Sequence, residues 1–212
     1  MSLIFVVSVG LATALATETP AAPRYFPEAF ATPSYSCSGG GRPFNAAILS
    51  AFEDKWFSSH LAAAGEPSLY QATAAAKRGS VRAVRFTWLR SFHAPVIVRV
   101  KWKAGGSPTL VAKALTGAGG YRPGRVARTV DRKLTPEEAN GLNALLMRTK
   151  VLAQPPKDCR DLIMVDGARW IVEGVDRAGY HYADRPSPDA GPVREFGLAM
   201  LKLTGWSFPD VY

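Results

Sequence analysis

Apolar residues recur along the chain with two different spacings. Phe44, Ile48, Phe52 and Trp56 return every fourth residue. With Ala47, Leu49 and Ala51 they predict an amphipathic helix that starts at Pro43 and ends near Ser58 or Ser59. The period then falls to two. Val84, Phe86 and Trp88 alternate with Arg85 and Thr87. Beyond the turn Ser91–Pro95, Val96, Val98, Val100 and Trp102 alternate with Ile97, Arg99, Lys101 and Lys103. Folding the pair about that turn sets Phe86 against Val100, Trp88 against Val98 and Arg85 beside Lys101, with one face apolar and the other basic.

Leu110–Thr116 and Val126–Leu134 read as further strands, joined by the glycine-rich stretch 117–124. The second carries Arg128, Asp131, Arg132 and Lys133 on both faces, which suits a sheet edge. Thr135-Pro136-Glu137-Glu138 opens a helix: Thr caps, Pro takes the first position and Glu138 completes a capping box. Leu142, Leu145, Leu146 and Thr149 then form its buried stripe. Asp161–Val165, the turn pair Asp166-Gly167 and Ala168–Val175 predict a hairpin, and Asp176–Gly179 leads into a strand over Tyr180–Asp184. Ile163, Val165, Trp170 and Val172 share one face; Arg169, Glu173, Tyr182 and Asp184 share the other, expected to meet solvent. A proline-rich loop, 186–192, opens a last helix with Val193, Phe196, Met200 and Leu203 inward and Gly205 as its cap. The fold expected is α+β, a mostly antiparallel sheet of about seven strands with three packed helices, in one domain over 43–212.

The first residues suggest where the chain works. Residues 3–15 carry no charge, and at that length they suit a signal-peptide core better than a spanning helix of about 20 residues. Ala14-Leu15-Ala16 has the small-x-small pattern of a cleavage site, so residues 1–16 are read as a signal peptide with Thr17 as the mature N-terminus. The stretch 17–42, rich in Pro, Ala and Thr, is expected as an extended leader. No Lys or Arg precedes the apolar run, and a buried first helix or strand of a cytosolic protein is the competing reading. A periplasmic or secreted location follows from the first reading, with no transmembrane segment after cleavage.

A net charge of +9, from 26 Lys and Arg against 17 Asp and Glu, is spread without long basic runs. A basic balance could mean nucleic acid, anionic envelope polymers or lipid head groups, but charge dispersed in this way favours a plainly basic exported protein and disfavours nucleic acid. The two cysteines, Cys37 and Cys159, are expected to pair in an oxidising compartment, with two free thiols as the alternative.

From Asp166 the run Asp166-Gly167-Ala168-Arg169-Trp170-Ile171-Val172-Glu173 is followed by Gly179-Tyr180-His181 and by Pro186-Ser187-Pro188 before the last helix. It resembles a set of uncharacterised exported bacterial proteins with a DG-x-x-W-x-x-E … G-x-Y … P signature. The resemblance implies export and the α+β fold, and carries no activity.

Three places could hold chemistry. Arg169, Glu173, Tyr182 and Asp184 could line a ligand-binding cleft, with Arg169 as anion contact and Glu173 or Asp184 as acceptor or base. Solvated sheet faces also carry such groups, and there Glu173 would pair with Arg169. The basic face of Arg85, Arg99, Lys101 and Lys103 requires an anion, or carboxylates from a neighbouring element. Cys37, ahead of a helix start, could act as a nucleophile with His93, His181 or His60 as base. Serine elbow, P-loop, dinucleotide fingerprint and zinc helix are all absent, and no catalytic residue, metal ligand or cofactor is assigned. The reading that results is a non-catalytic binding or structural module of the cell envelope, partnered by an envelope protein or anionic polymer through a sheet face. The alternative is a small envelope hydrolase using Cys37 with His93 or His181.

Overall fold

A computed structural model describes residues 23–39, 42–103, 105–159 and 166–212. The signal peptide and the strand expected over 161–165 lie outside the described residues. The elements run β1 Tyr35–Gly39, β2 Arg42–Ala46, α1 Ala51–Ala63, α2 Thr73–Lys77, β3 Arg82–Arg90, β4 Val96–Trp102, β5 Thr109–Leu115 and β6 Val126–Lys133. They continue as α3 Pro136–Thr149, β7 Ala168–Asp176, β8 Gly179–Pro186 and α4 Pro192–Leu203. Six strands form one antiparallel sheet in the order β6-β5-β4-β3-β7-β8, and β1 with β2 forms a separate hairpin. The fold is therefore α+β.

Both faces of the sheet are covered, by different means. Val84, Phe86, Trp88, Val98, Val100, Leu110, Trp170 and Val172 pack under α3 and α4, which contribute Leu142, Val193, Phe196 and Met200. Helix α4 sits close because residue 197 is glycine. A Cβ there would lie 2.6 Å from the Trp170 ring and 2.7 Å from Phe86. On the other face Leu89, Ile97, Leu115, Ile171 and Tyr182 meet Phe57 and Leu61 of α1, together with Tyr25, Phe26 and Leu49. Tyr25 and Phe26 are buried, so the packed domain already includes residues expected in an extended leader and does not begin at Pro43.

Helix α3 forms as its signal dictates: Thr135 accepts from the Glu138 N–H at 3.2 Å, and Glu138 accepts from the Thr135 N–H at 2.9 Å. Helix α1 does not begin at Pro43. Residues 42–46 are a strand, and Ser50 with Glu53 makes a second capping box, the Glu53 carboxylate accepting from the Ser50 N–H at 2.8 Å. The four-residue spacing of Phe44 and Phe52 runs across this boundary, and both side chains are exposed. The β3–β4 register also differs. Phe86 faces Val98, Trp88 faces Val96 and Arg85 faces Arg99, a shift of two residues. Arg90 donates to the Ala94 carbonyl at 3.1 Å and closes the turn early. Since the side-chain period is two, the shift leaves every residue on its expected face.

The sheet edges are closed differently. Strand β6 is exposed and charged, whereas β8 is flanked by residue 157, which forms an isolated parallel bridge to Asp184. A disulfide joins Cys37 of β1 to Cys159. No described helix is long and apolar enough to cross a membrane.

Candidate functional site

Two of the four residues of the basic hairpin face, Arg85 and Arg99, are neutralised from inside the fold, while Lys101 is half-buried and Lys103 exposed. Arg85 and Arg99 lie directly opposite each other, with Glu173 on the far side of Arg85 in β7. Glu173 accepts from Arg85 Nε at 2.8 Å and from its second terminal nitrogen at 2.7 Å, a bidentate pair that is fully buried. The Tyr180 hydroxyl donates to Glu173 Oε1 at 2.9 Å. A second carboxylate arrives from above the sheet. Glu66 accepts from Arg99 Nε at 2.7 Å, and its carboxylate lies 3.1 Å from Lys113 Nζ and 3.8 Å from Arg85.

Local structure aims Glu66 downward. Gly65 takes φ +59° after α1, its N–H donates to the Ala62 carbonyl and the Glu66 N–H donates to the Leu61 carbonyl. That paired return is a Schellman motif, which reverses the chain over the sheet. Burial alone would lower the Arg85 pKa, but Glu173 and Glu66 outweigh it and hold the guanidinium above its ordinary value.

Of the other three expected site residues, Arg169 and Asp184 form a separate cluster. Arg169 pairs with Asp184 of the adjacent strand and reaches Glu53 Oε1 at 3.4 Å. Lys157 donates to both Glu53 oxygens, at 3.0 and 3.2 Å. Burial pushes Glu53 up, but the Ser50 N–H and Lys157 outweigh that and bring its pKa below the usual range. Burial pushes the Asp184 carboxyl up, against the pull of Arg169. Burial also drives the Tyr182 hydroxyl well above its ordinary range, so Tyr182 stays protonated.

Arg169, Glu173, Tyr182 and Asp184 thus share a face but do not share a site. Glu173 belongs to Arg85, not to Arg169, and Glu173 and Asp184 are both 0% exposed. Such clusters hold elements together: α1 through Glu53, the chain after it through Glu66, and the segment before Cys159 through Lys157. Glu173 and Asp184 have no solvent exposure, whereas Glu53, Arg99 and Lys113 at the cluster margins are partly exposed.

The sulfur of Cys37 is bonded to Cys159 at 2.04 Å, so no thiolate is present for nucleophilic attack. Each histidine is engaged elsewhere. Nδ1 of His93 lies 2.6 Å from the Tyr212 hydroxyl, Nε2 of His181 lies 3.0 Å from Asp176, and buried His60 lies 2.9 Å from the Trp56 carbonyl. Among the described residues no group of three or more His, Cys, Asp or Glu is placed to hold a metal ion.

A different surface stands out at one end of the sheet. Phe52 and Trp56 of α1, with Lys55 and Ser59, face Gly120 and Tyr121 of the β5–β6 loop across a cleft of 280 Å³. Phe92, at the β3–β4 turn, lies against Tyr121 with ring centroids 6.2 Å apart. Phe52, Phe92 and Tyr121 are 71%, 61% and 66% exposed, although each is a large apolar group.

Their frame is tightly built. Trp56 Nε1 donates to the Gly119 carbonyl at 2.6 Å, and the Gly119 N–H donates to the His93 carbonyl at 3.0 Å. A Cβ on Gly119 would lie 2.4 Å from the Arg90 main-chain nitrogen, so only glycine allows this approach. In residue order, 91–95 and 117–124 read only as loops. The signal they carry is an aromatic in each, Phe92 and Tyr121, with no buried-face periodicity to account for it.

No protein-family model matches the chain, and neither does any curated protein sequence.

Proposed function

We propose that the protein is an exported, non-catalytic binding module of the cell envelope that takes a protein partner at the aromatic end of its sheet. One observation carries this reading: Phe52, Phe92 and Tyr121, from three separate elements, converge exposed on a glycine-built frame. Large contiguous apolar groups left in water favour an interface, and aromatic residues dominate the energetics of protein contacts. Lys55 and Arg122 are exposed beside them and supply a polar, basic rim. The Cys37–Cys159 bridge supports an oxidising compartment. A sheet face is not the favoured surface, because both faces are packed over β3, β7 and β8.

The test is site-specific photocrosslinking in cells, with a photoreactive phenylalanine placed at Phe52, Phe92 or Tyr121. Met147 and Leu198, exposed apolar residues on α3 and α4, serve as controls. The reading expects one discrete adduct shared by the three aromatic positions and missing from the controls. Adducts of equal yield at all five positions, or at none, defeat it. The mass of the mature chain from the same cells checks export, with cleavage after Ala16 as the expected result.

A further inference from the structure

After α4 the chain turns at Gly205, φ +70°, and residues 206–212 run back without secondary structure across the end of the first core layer. Phe208 meets the Trp88 ring edge-on at 5.5 Å, Trp206 lies 6.3 Å from Phe208, and Tyr212 lies 5.7 Å from the His93 ring. Three side-chain groups of the sheet donate to main-chain oxygens of the segment. Trp88 Nε1 and Trp170 Nε1 both donate to the main-chain oxygen of Tyr212, at 3.0 and 2.9 Å. Arg90 donates to the main-chain oxygen of Asp210 at 3.4 Å, and its guanidinium covers the Trp88 ring at 4.0 Å.

Trp88 and Trp170 are opposed on neighbouring strands, and both are fully buried with this segment in place. Two indole N–H groups therefore converge on one acceptor that any extended peptide can offer. Among the described residues, no hydrogen bond between main-chain atoms joins 207–212 to the rest of the fold. The segment is held by side-chain hooks on its carbonyls, by the contact of the Tyr212 hydroxyl with His93 at 2.6 Å, and by apolar and ring packing of Trp206, Phe208, Val211 and Tyr212 on the core. That is how peptide grooves recognise ligands: main-chain groups give affinity and pockets for alternate side chains give selectivity.

We propose that the groove formed by Trp88, Arg90, His93 and Trp170 is a recognition site for an extended aromatic peptide of a partner protein. Residues 206–212 occupy it in cis as a resident competitor. A short tether holds the resident segment at an effective concentration on the order of millimolar, so an outside peptide binds weakly until the segment is loosened. This site is separate from the Phe52–Tyr121 cleft and does not depend on it.

The probe is a fluorescein-labelled peptide of the sequence of residues 206–212, with a C-terminal amide, titrated by fluorescence anisotropy against the full chain. The comparison is with the full chain carrying Phe208→Ala and Tyr212→Ala. The expected result is binding to the double variant at least about ten-fold tighter than to the unmodified protein. A control peptide with all three aromatics replaced by alanine should not bind. Equal affinity for both proteins, or no binding to a double variant that keeps its far-UV circular dichroism, overturns the proposal.

If the double variant does not fold, hydrogen exchange of the Trp88 and Trp170 indole N–H groups in the unmodified protein decides. Exchange through a local opening, with the β3 and β7 main-chain amides still protected, supports a detachable segment. Exchange only together with those amides refutes it.

Discussion

Replacing Glu173 with alanine probes the buried charge network most directly. The substitution removes two of the three hydrogen bonds that Arg85 donates, leaving the one to the Pro67 carbonyl at 2.7 Å. It also takes the acceptor from the Tyr180 hydroxyl. Among the described residues, Arg85, Arg99 and Lys113 would then share Glu66 as their one carboxylate. Breaking a buried pair from one side costs roughly 3–5 kcal/mol, a large share of the 5–15 kcal/mol by which domains are usually stable. Glu173→Gln keeps the volume and one acceptor, and is expected to cost roughly 1–3 kcal/mol.

The double replacement Arg85→Met with Glu173→Leu removes both charges and leaves Glu66 to Arg99 and Lys113. It is expected to recover most of the loss, since well-packed apolar substitutes for buried pairs are often neutral. Urea unfolding at pH 7, followed by tryptophan fluorescence, measures all three through the midpoint at unchanged slope. A cost below about 1 kcal/mol for Glu173→Ala would show that Glu66 and Pro67 alone satisfy Arg85. Glu173 would then not be the principal partner of that guanidinium, and the pairing scheme would be wrong.

Other outcomes follow from single contacts. Gly197→Ala should destabilise by about 1–3 kcal/mol in the same assay, because overpacking against Trp170 and Phe86 outweighs the roughly 1 kcal/mol gained in helix propensity. Glu138 is held at a pKa of about 2 by its hydrogen bond to Arg132 and by the Thr135 N–H. A depressed carboxylate adds stability above its unfolded pKa, so the advantage over Glu138→Gln should be full at neutral pH and fade as pH falls from about 4.5 to about 2. Reducing the disulfide, whose cysteines are 122 residues apart, should cost up to about 5 kcal/mol by loop entropy, measured as the urea midpoint with and without reductant. Phe52→Ala and Tyr121→Ala should each change stability by less than about 0.5 kcal/mol, and a larger loss would mark them as structural rather than interface residues.

Much of this architecture is legible in residue order. Thr135-Pro136-Glu137-Glu138 specifies the start of α3 without help from the rest of the chain. The alternation of Val84, Phe86 and Trp88 assigns faces correctly even where the register is two residues off, because period two carries parity and not turn length. What sequence cannot show is which elements come to lie over a charged face. Arg85, Arg169, Glu173 and Asp184 read as solvent-facing because charges usually meet water. Glu53 of α1 meets Arg169 from 116 residues away, and Glu66 of the turn after α1 meets Arg85, and no local spacing links either pair. Ser50-Ala51-Phe52-Glu53 is a readable cap, masked by an apolar spacing that crosses a real boundary.

The bridge from Cys37 to Cys159 also sets an order of events in the life of the chain. Chains are made from the N-terminus, and Cys37 emerges long before its partner, which trails it by 122 residues. Between the two lie α1 and strands β3 to β6, while β7 and β8 come later still. Cys37 is itself buried in the finished fold, and main-chain and side-chain contacts of residues 156 and 157 with Asp184 and Glu53 hold Cys159 beside it. One of these contacts is to β8, the last strand of the sheet, and the other is to α1. Oxidation is therefore expected to seal a largely formed structure, and a chain folded wrongly in its second half is expected to keep its thiols and be distinguishable by them.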